Sequence, residues 1–243
     1  MSKKIIVENL EFDFSNSSCS KDELLNLYWY FHPKFRFFKT LHPKTRLLDI
    51  GAGSGGMFYW KEWKLPIRND IEMYAVDKFK SAMFDKYDGH QICNLDECLL
   101  KYENEFFDAA LASHILEHLK DENNMVQEIN RVLKKGGYLY IEIPTPETYR
   151  YPSRNLFVER GINVSTTNFY EDKTHLRTFG PEVLTGLLRS HDFQIMESGI
   201  IENRFLEREL LAYGFRNNDP ETSTYAIWSY LKWAQYAIGK KDK

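Results

Sequence analysis

The chain has 243 residues, 43% of them hydrophobic and 15% aromatic, with a formal net charge of −3. That length and apolar share suit one α/β domain with a sizeable core. The weakly acidic balance removes bulk electrostatic attraction to nucleic acid or an acidic membrane, so no nucleic-acid partner is expected.

No apolar run reaches 18 residues, and a membrane span is not expected. The start, MSKKIIVENLEF, lacks the long apolar stretch of a signal peptide. Cys19, Cys93 and Cys98 form no CxxC pair, which points to a reducing, cytoplasmic compartment.

Residues 1–20 are polar and weakly patterned. Ser20 with Glu23 makes a capping box, and a helix follows with Leu24, Leu25, Leu27, Tyr28 and Phe31 on its apolar side. Phe35, Phe37, Phe38 and Leu41 continue as an aromatic segment, so residues 1–40 read as an N-terminal helical cap. Leu47–Ile50 is a short buried strand. It runs into the glycine turn Gly51-Ala52-Gly53-Ser54-Gly55-Gly56 and a helix to about Trp63.

A second strand covers 71–76 and ends at Asp77. Residues 78–87 are weakly patterned, and 91–93 and 106–111 are strands. A helical turn at 114–119 precedes a helix over 123–133, closed by Lys134, Lys135 and Gly136, and a strand over 138–143. Strands alternating with helices imply βαβ units and a mostly parallel sheet.

Residues 144–178 break the rhythm and are too polar for a core element, so they read as a substrate-side insertion. Tyr149, Tyr151, Arg154, Arg160, Phe169 and Tyr170 offer a surface for a polar or aromatic acceptor. Pro181 opens a helix to about Ser190, and 193–196 is a strand. Helices over 201–213 and 221–232 flank a turn at 217–220. The span 233–238 is read as a last edge strand. Trp228, Tyr230 and Trp233 fit a dimer seam or a core layer, so monomer and homodimer both stay open.

A glycine-rich loop leaving a parallel strand is the usual ligand crevice of an open α/β sheet. No Lys-Ser/Thr pair follows the glycines, which excludes a phosphate-cradling P-loop. Asp49, just before the turn, suits a positively charged ligand group better than a pyrophosphate. Asp77 at the next strand end suits ribose hydroxyls.

The segments LLDIGAGSGG, MYAVDK, ICNLD, FFDAALASHILEHL and EINRVLKKGGYLYIEIP follow in that order. Over about residues 45–200 the chain resembles the class I S-adenosylmethionine-dependent methyltransferases, the broad small-molecule group with an EHL signature. The resemblance implies a single Rossmann-like domain over 1–243, with a mostly parallel seven-stranded sheet and helices on both faces.

It also implies S-adenosyl-L-methionine as cofactor and S-adenosyl-L-homocysteine as product. Asp49, Gly51, Ala52, Gly53 and Gly55 would surround the amino-acid moiety. Asp77 and Lys78 would meet the ribose and adenine, and Asn94 and Leu95 the adenine. Ala112 and Ser113 would lie by the transferable methyl. Asn94 departs from the aspartate often found there, but its amide oxygen still accepts a hydrogen bond.

The expected activity is methyl transfer to a small-molecule acceptor, by preference a hydroxyl of a sugar, a glycosylated product or an aromatic natural product. His175, His114 and His118 are the candidate bases, since imidazole accepts a proton near neutral pH. No metal is expected. Glu117 and His118 with a distant acid would be the ligands, and the sequence gives them no independent support.

The alternatives are small-molecule N-methylation and a non-catalytic binding protein that keeps the fold. No Asn/Asp-Pro-Pro-Tyr/Phe tetrapeptide follows strand 106–111, which argues against methylation of DNA-base amino groups. A nicotinamide oxidoreductase is compatible with Asp77 but not with the EHL signature.

Overall fold

The computed structural model describes residues 3–14 and 19–242. In chain order its strands and helices are β1 Lys3–Val7, β2 Leu10–Phe14, α1 Lys21–Phe31, α2 Pro33–Thr40, β3 Arg46–Ile50, β4 Glu72–Asp77 and β5 Gly89–Ile92. Then come β6 Phe107–Ser113, α3 Glu122–Val132, β7 Leu133–Pro144, α4 Arg154–Glu159, α5 Pro181–Ser190, β8 Phe193–Ile200, α6 Glu207–Asn217, α7 Pro220–Leu231 and β9 Ala234–Lys241. Among the described residues no helix is long and apolar enough to cross a membrane.

The chain divides into two compact units. One gathers Phe37–Ile143, Leu176–Gly199 and the described part of Tyr236–Lys243. It is built on a seven-stranded sheet of order β5-β4-β3-β6-β7-β9-β8. The pairings β5–β4, β4–β3, β3–β6 and β6–β7 are all parallel. The C-terminal ends of these five strands therefore lie along one edge.

Alternation along the strands sends Leu48, Ile50, Ala110, Ala112, Leu139, Ile141 and Ile143 to one face. There they pack with Met125, Val126, Ile129 and Val132 of α3 and Leu184 and Leu188 of α5. The opposite face is aromatic. Tyr140 lies 5.5 Å from Phe37 and 5.9 Å from Tyr236, ring to ring.

Several expectations need correction. The helix after the glycine turn is only a 3-10 run, Gly56–Lys61. The Lys39 ammonium donates to the carbonyls of Trp60, Lys64 and Pro66, at 2.6, 2.8 and 2.9 Å. Three carbonyls converging on one ammonium require a curled path over 60–66, not the parallel carbonyls of a helix.

The last strand is not an edge strand. β9 lies between β7 and β8, and β8 takes the edge. Ala234–Gly239 is buried residue after residue, as a strand covered on both faces requires.

Cys93 and Cys98 form a disulfide with Cα atoms 6.2 Å apart, a pairing the sequence did not point to. The turn between them, where Glu97 N–H and Cys98 N–H both donate to Asn94 O, brings the two together.

The other unit gathers the described part of Met1–Arg36, Pro144–His175 and Ile200–Gln235. Its start is not purely helical. β1 and β2 form an antiparallel hairpin with Ile5 opposite Phe12, and Glu8 in the turn has φ 53°. The alternation of exposed Lys4 and Ile6 with buried Ile5 and Val7 is the strand signal that the polar composition hid.

Ile5, Val7 and Phe12 join Leu24, Tyr28, Phe157, Ile162, Leu210 and Ile227 in one core. The α1 capping box forms as expected. α6 starts only at Glu207, because Asn203 is tied by its N–H to Ser229 Oγ of α7.

The tail aromatics form a layer within this unit. Trp228 and Trp233 stack at 4.2 Å, and their indole N–H groups donate to the carbonyls of Thr166 and Thr167. The insertion is ordered by the same kind of bond. Tyr151 donates to Leu231 O, Arg154 Nε donates to Val164 O at 2.8 Å, and Glu171 accepts the N–H groups of Thr167 and Asn168.

Candidate functional site

β3 delivers the glycine turn to the C-terminal edge of the sheet. The N–H groups of Gly51 and Ala52 both donate to Val76 O, at 2.8 and 3.2 Å, which fastens the turn to the neighbouring strand. Gly51 and Gly55 have φ +69° and +77°, a region that side chains rarely adopt. A Cβ on Gly51 would sit 2.7 Å from Ile115 Cδ1, and one on Gly55 would sit 2.7 Å from Met83 Cβ. These positions need glycine for conformation and for space.

Two carboxylates flank the turn. Asp77 ends β4. Its Oδ2 accepts Gly53 N–H at 2.8 Å, and its Oδ1 accepts Phe79 N–H at 3.0 Å. Lys78 beside it is exposed, its ammonium 5.8 Å from the Phe79 ring centre. Asp49 is buried, 4% exposed, and Tyr87 Oη donates to its Oδ2 at 2.9 Å.

Tyr87 lay in the stretch the sequence left weakly patterned. Nothing in its local spacing marks it as a partner of Asp49. Burial first, and the Asp49 charge second, push its phenol well above the usual tyrosine range, so it stays a donor.

Past β5, Asn94 Oδ1 accepts Asp96 N–H at 3.3 Å, and Leu95 packs at the margin of the sheet core. Ala112 is fully buried in that core, and Ser113 ends β6 half-buried. Asp49, Gly51, Ala52, Gly53, Gly55, Asp77, Lys78, Asn94, Leu95, Ala112 and Ser113 thus all fall at or just beyond the strand ends of one unit.

His114 follows β6 with φ 54°. The β6–β7 register sets Ser113 opposite Glu142, and His114 N–H donates to Glu142 O at 2.8 Å. The imidazole Nε2 lies 2.8 Å from Glu142 Oε1, and Nδ1 lies 3.2 Å from Glu117 Oε1. Tyr140 Oη donates to Glu142 Oε2 at 2.7 Å.

Glu117 is fully buried and Glu142 is 3% exposed. Burial alone would lower the imidazolium pKa. The two glutamates more than reverse this and push it up to about 9, so His114 carries a proton at neutral pH. The sequence singled out His114 but not Glu142, which reaches it through strand pairing, nor Tyr140, which bonds Glu142.

His118 ends the 3-10 turn Leu116–His118 and is half-buried. His175 belongs to the other unit. Its Nδ1 lies 2.8 Å from Phe169 O, and its ring rests 4.6 Å from that of Phe169. A carbonyl only accepts, so Nδ1 carries the hydrogen of this contact. Asp172 Oδ2 is 3.9 Å from Nε2.

Residues 48–141 match the family described as "Methyltransferase domain". The human mitochondrial ubiquinone biosynthesis O-methyltransferase is 26% identical over 169 residues, which cover 66% of this chain and 44% of that protein. The Arabidopsis thaliana tRNA (carboxymethyluridine(34)-5-O)-methyltransferase is 32% identical over 110 residues, covering 44% of this chain and 26% of its own length. The chain spans less than half the length of either relative. The solved structure of an S-adenosylmethionine-dependent methyltransferase from Archaeoglobus fulgidus aligns with TM-score 0.53 at 20% identity, covering 90% of this chain and 94% of its own.

Proposed function

We propose that the chain is a class I S-adenosylmethionine-dependent methyltransferase that methylates a hydroxyl group of a small molecule, a reading supported by the methyltransferase-domain match over residues 48–141. One observation carries the cofactor half of this reading. A turn with two obligatory glycines stands between a buried and a half-buried carboxylate, Asp49 and Asp77, at the C-terminal edge of a parallel sheet. That set fits a ligand with an ammonium, a sulfonium and a ribose but no phosphate. When bound, S-adenosylmethionine supplies an electrophilic methyl group on sulfur.

The roles divide by chemistry. The close-packed glycine turn and the Asp49 carboxylate border the amino-acid end, Asp77 holds the ribose hydroxyls, and Asn94 and Leu95 the adenine. Ser113 and the backbone at Ala112 border the reacting methyl. Positioning supplies much of the rate.

His114, caged by two carboxylates and protonated near pH 7, is better suited to keep charge balanced at the strand end than to take up a proton. His175 has Nδ1 committed to Phe169 O, so we assign its other ring nitrogen, Nε2, the acceptor proton. His118 serves the fold of its turn. The hydroxyl preference is supported by the human relative, whose name records an O-methyltransferase.

Calorimetric titration with S-adenosylhomocysteine, beside NAD as a control, tests the first half. Saturable binding of the first alone supports it, and binding of neither overturns it. Transfer of a labelled methyl group to phenols and sugars, set against matched amines, tests the second. Label appearing on amines alone overturns the hydroxyl assignment.

A further inference from the structure

We infer that Tyr87 is a positioning residue of the cofactor site: its phenol orients the Asp49 carboxylate toward the ammonium of the bound amino-acid moiety. The inference rests on the proposed role of Asp49.

Asp49 lies on β3, paired on one side with β4 and on the other with β6, and is 4% exposed. A carboxylate taken out of water needs donors, or it loses its charge. The Tyr87 phenol supplies one at 2.9 Å. Its oxygen is also 3.3 Å from Gly55 O, but its single hydrogen favours the charged acceptor.

The residue type matters. An arginine or lysine in this place would cancel the carboxylate charge. A neutral phenol ties down one oxygen and leaves the full negative charge for a cationic ligand.

Tyr87 is itself held in place. It is 7% exposed, and its ring lies 5.5 Å from Phe58 and 5.8 Å from Phe84. It caps the 3-10 run Ala82–Lys86, its N–H donating to Phe84 O. The same segment braces the glycine turn elsewhere. Ser81 Oγ donates to Ser54 O at 2.7 Å, and Met83 Cβ fills the space a side chain on Gly55 would need. Loop and carboxylate are therefore set by one short segment, 81–87.

The test compares S-adenosylhomocysteine with its desamino analogue by calorimetry on the full chain, in wild type, Tyr87→Phe and Asp49→Asn. Tyr87→Phe keeps the ring and its packing. It should weaken S-adenosylhomocysteine about tenfold and the desamino analogue less than twofold, as expected for loss of a hydrogen bond to a charged group. The unchanged analogue affinity also shows that the variant is folded. The double variant should lose nothing beyond Asp49→Asn, since Tyr87 acts only through that carboxylate.

An equal loss for both ligands in Tyr87→Phe, or no loss for either, overturns the inference. If Asp49→Asn weakens both ligands alike, the ammonium role of Asp49 fails instead, and the two failures are told apart.

Discussion

The strand-end cluster around His114 and the 168–175 segment around His175 use the same side chain in opposite ways. His114 has a carboxylate at each nitrogen, 2.8 and 3.2 Å away. His175 has a carbonyl oxygen at Nδ1, 2.8 Å away. Two buried carboxylates hold an imidazole as a cation, while a backbone carbonyl fixes which ring nitrogen donates. The comparison teaches that a histidine's chemistry is written in its partners and not in its place in a motif.

The strongest way to break the comparison is to remove the cation. His114→Leu leaves Glu117 and Glu142 buried without their shared countercharge. Breaking such a cluster costs about 3–5 kcal/mol, and urea unfolding should read a loss of that size. A loss below about 1 kcal/mol, the size of an ordinary exposed ion pair, would mean that the cluster does not hold a charged imidazole.

The same contrast has a pH signature. The folded pKa of His114, about 9, lies above the ordinary value of 6.5. The folded state therefore binds the proton more tightly than the unfolded chain. Its contribution is fully present below pH 6.5 and is lost as pH rises through about 9. The loss amounts to at most about 3 kcal/mol. Unfolding free energies measured from pH 6 to 10 should fall across that window in wild type and run flatter in His114→Gln. A wild-type profile that rises through it would reverse the assignment.

His175→Gln tests the other histidine. If His175 takes the acceptor proton, kcat should drop by at least about 10²-fold, with S-adenosylhomocysteine affinity unchanged. A drop in affinity without a drop in kcat would remove it from the proton-transfer step. The smallest effect is the stability change of that same variant. Losing the hydrogen bond to Phe169 O should cost about 1 kcal/mol by denaturant titration, well under the cost of His114→Leu.

Local pattern made much of the sheet legible. The run Leu47–Ile50, the glycine turn and Asp77 at the end of β4 all follow from short-range rules. A buried strand is continuous in apolar residues, and a turn with positive φ selects glycine. The histidines were legible too, because imidazole is rare and chemically conspicuous.

The glutamate beside His114 was not. Glu142 reaches it because β6 and β7 pair with Ser113 opposite Glu142, and register is decided by packing across the sheet. The N-terminal hairpin was missed because its buried positions Ile5, Val7 and Phe12 lie in strands of only five residues each.

What the sequence by itself determined is therefore the local geometry: which residues turn, which extend, and which acid ends which strand. Each depends on the chain's own dihedral preferences and on neighbours a few positions away. Only the tertiary structure decided the pairs that give the site its electrostatics. Tyr87 meets Asp49 across 38 residues, and β9 enters the sheet between β7 and β8. Such encounters depend on strand order and on the fit of distant side chains, which no short window of sequence encodes.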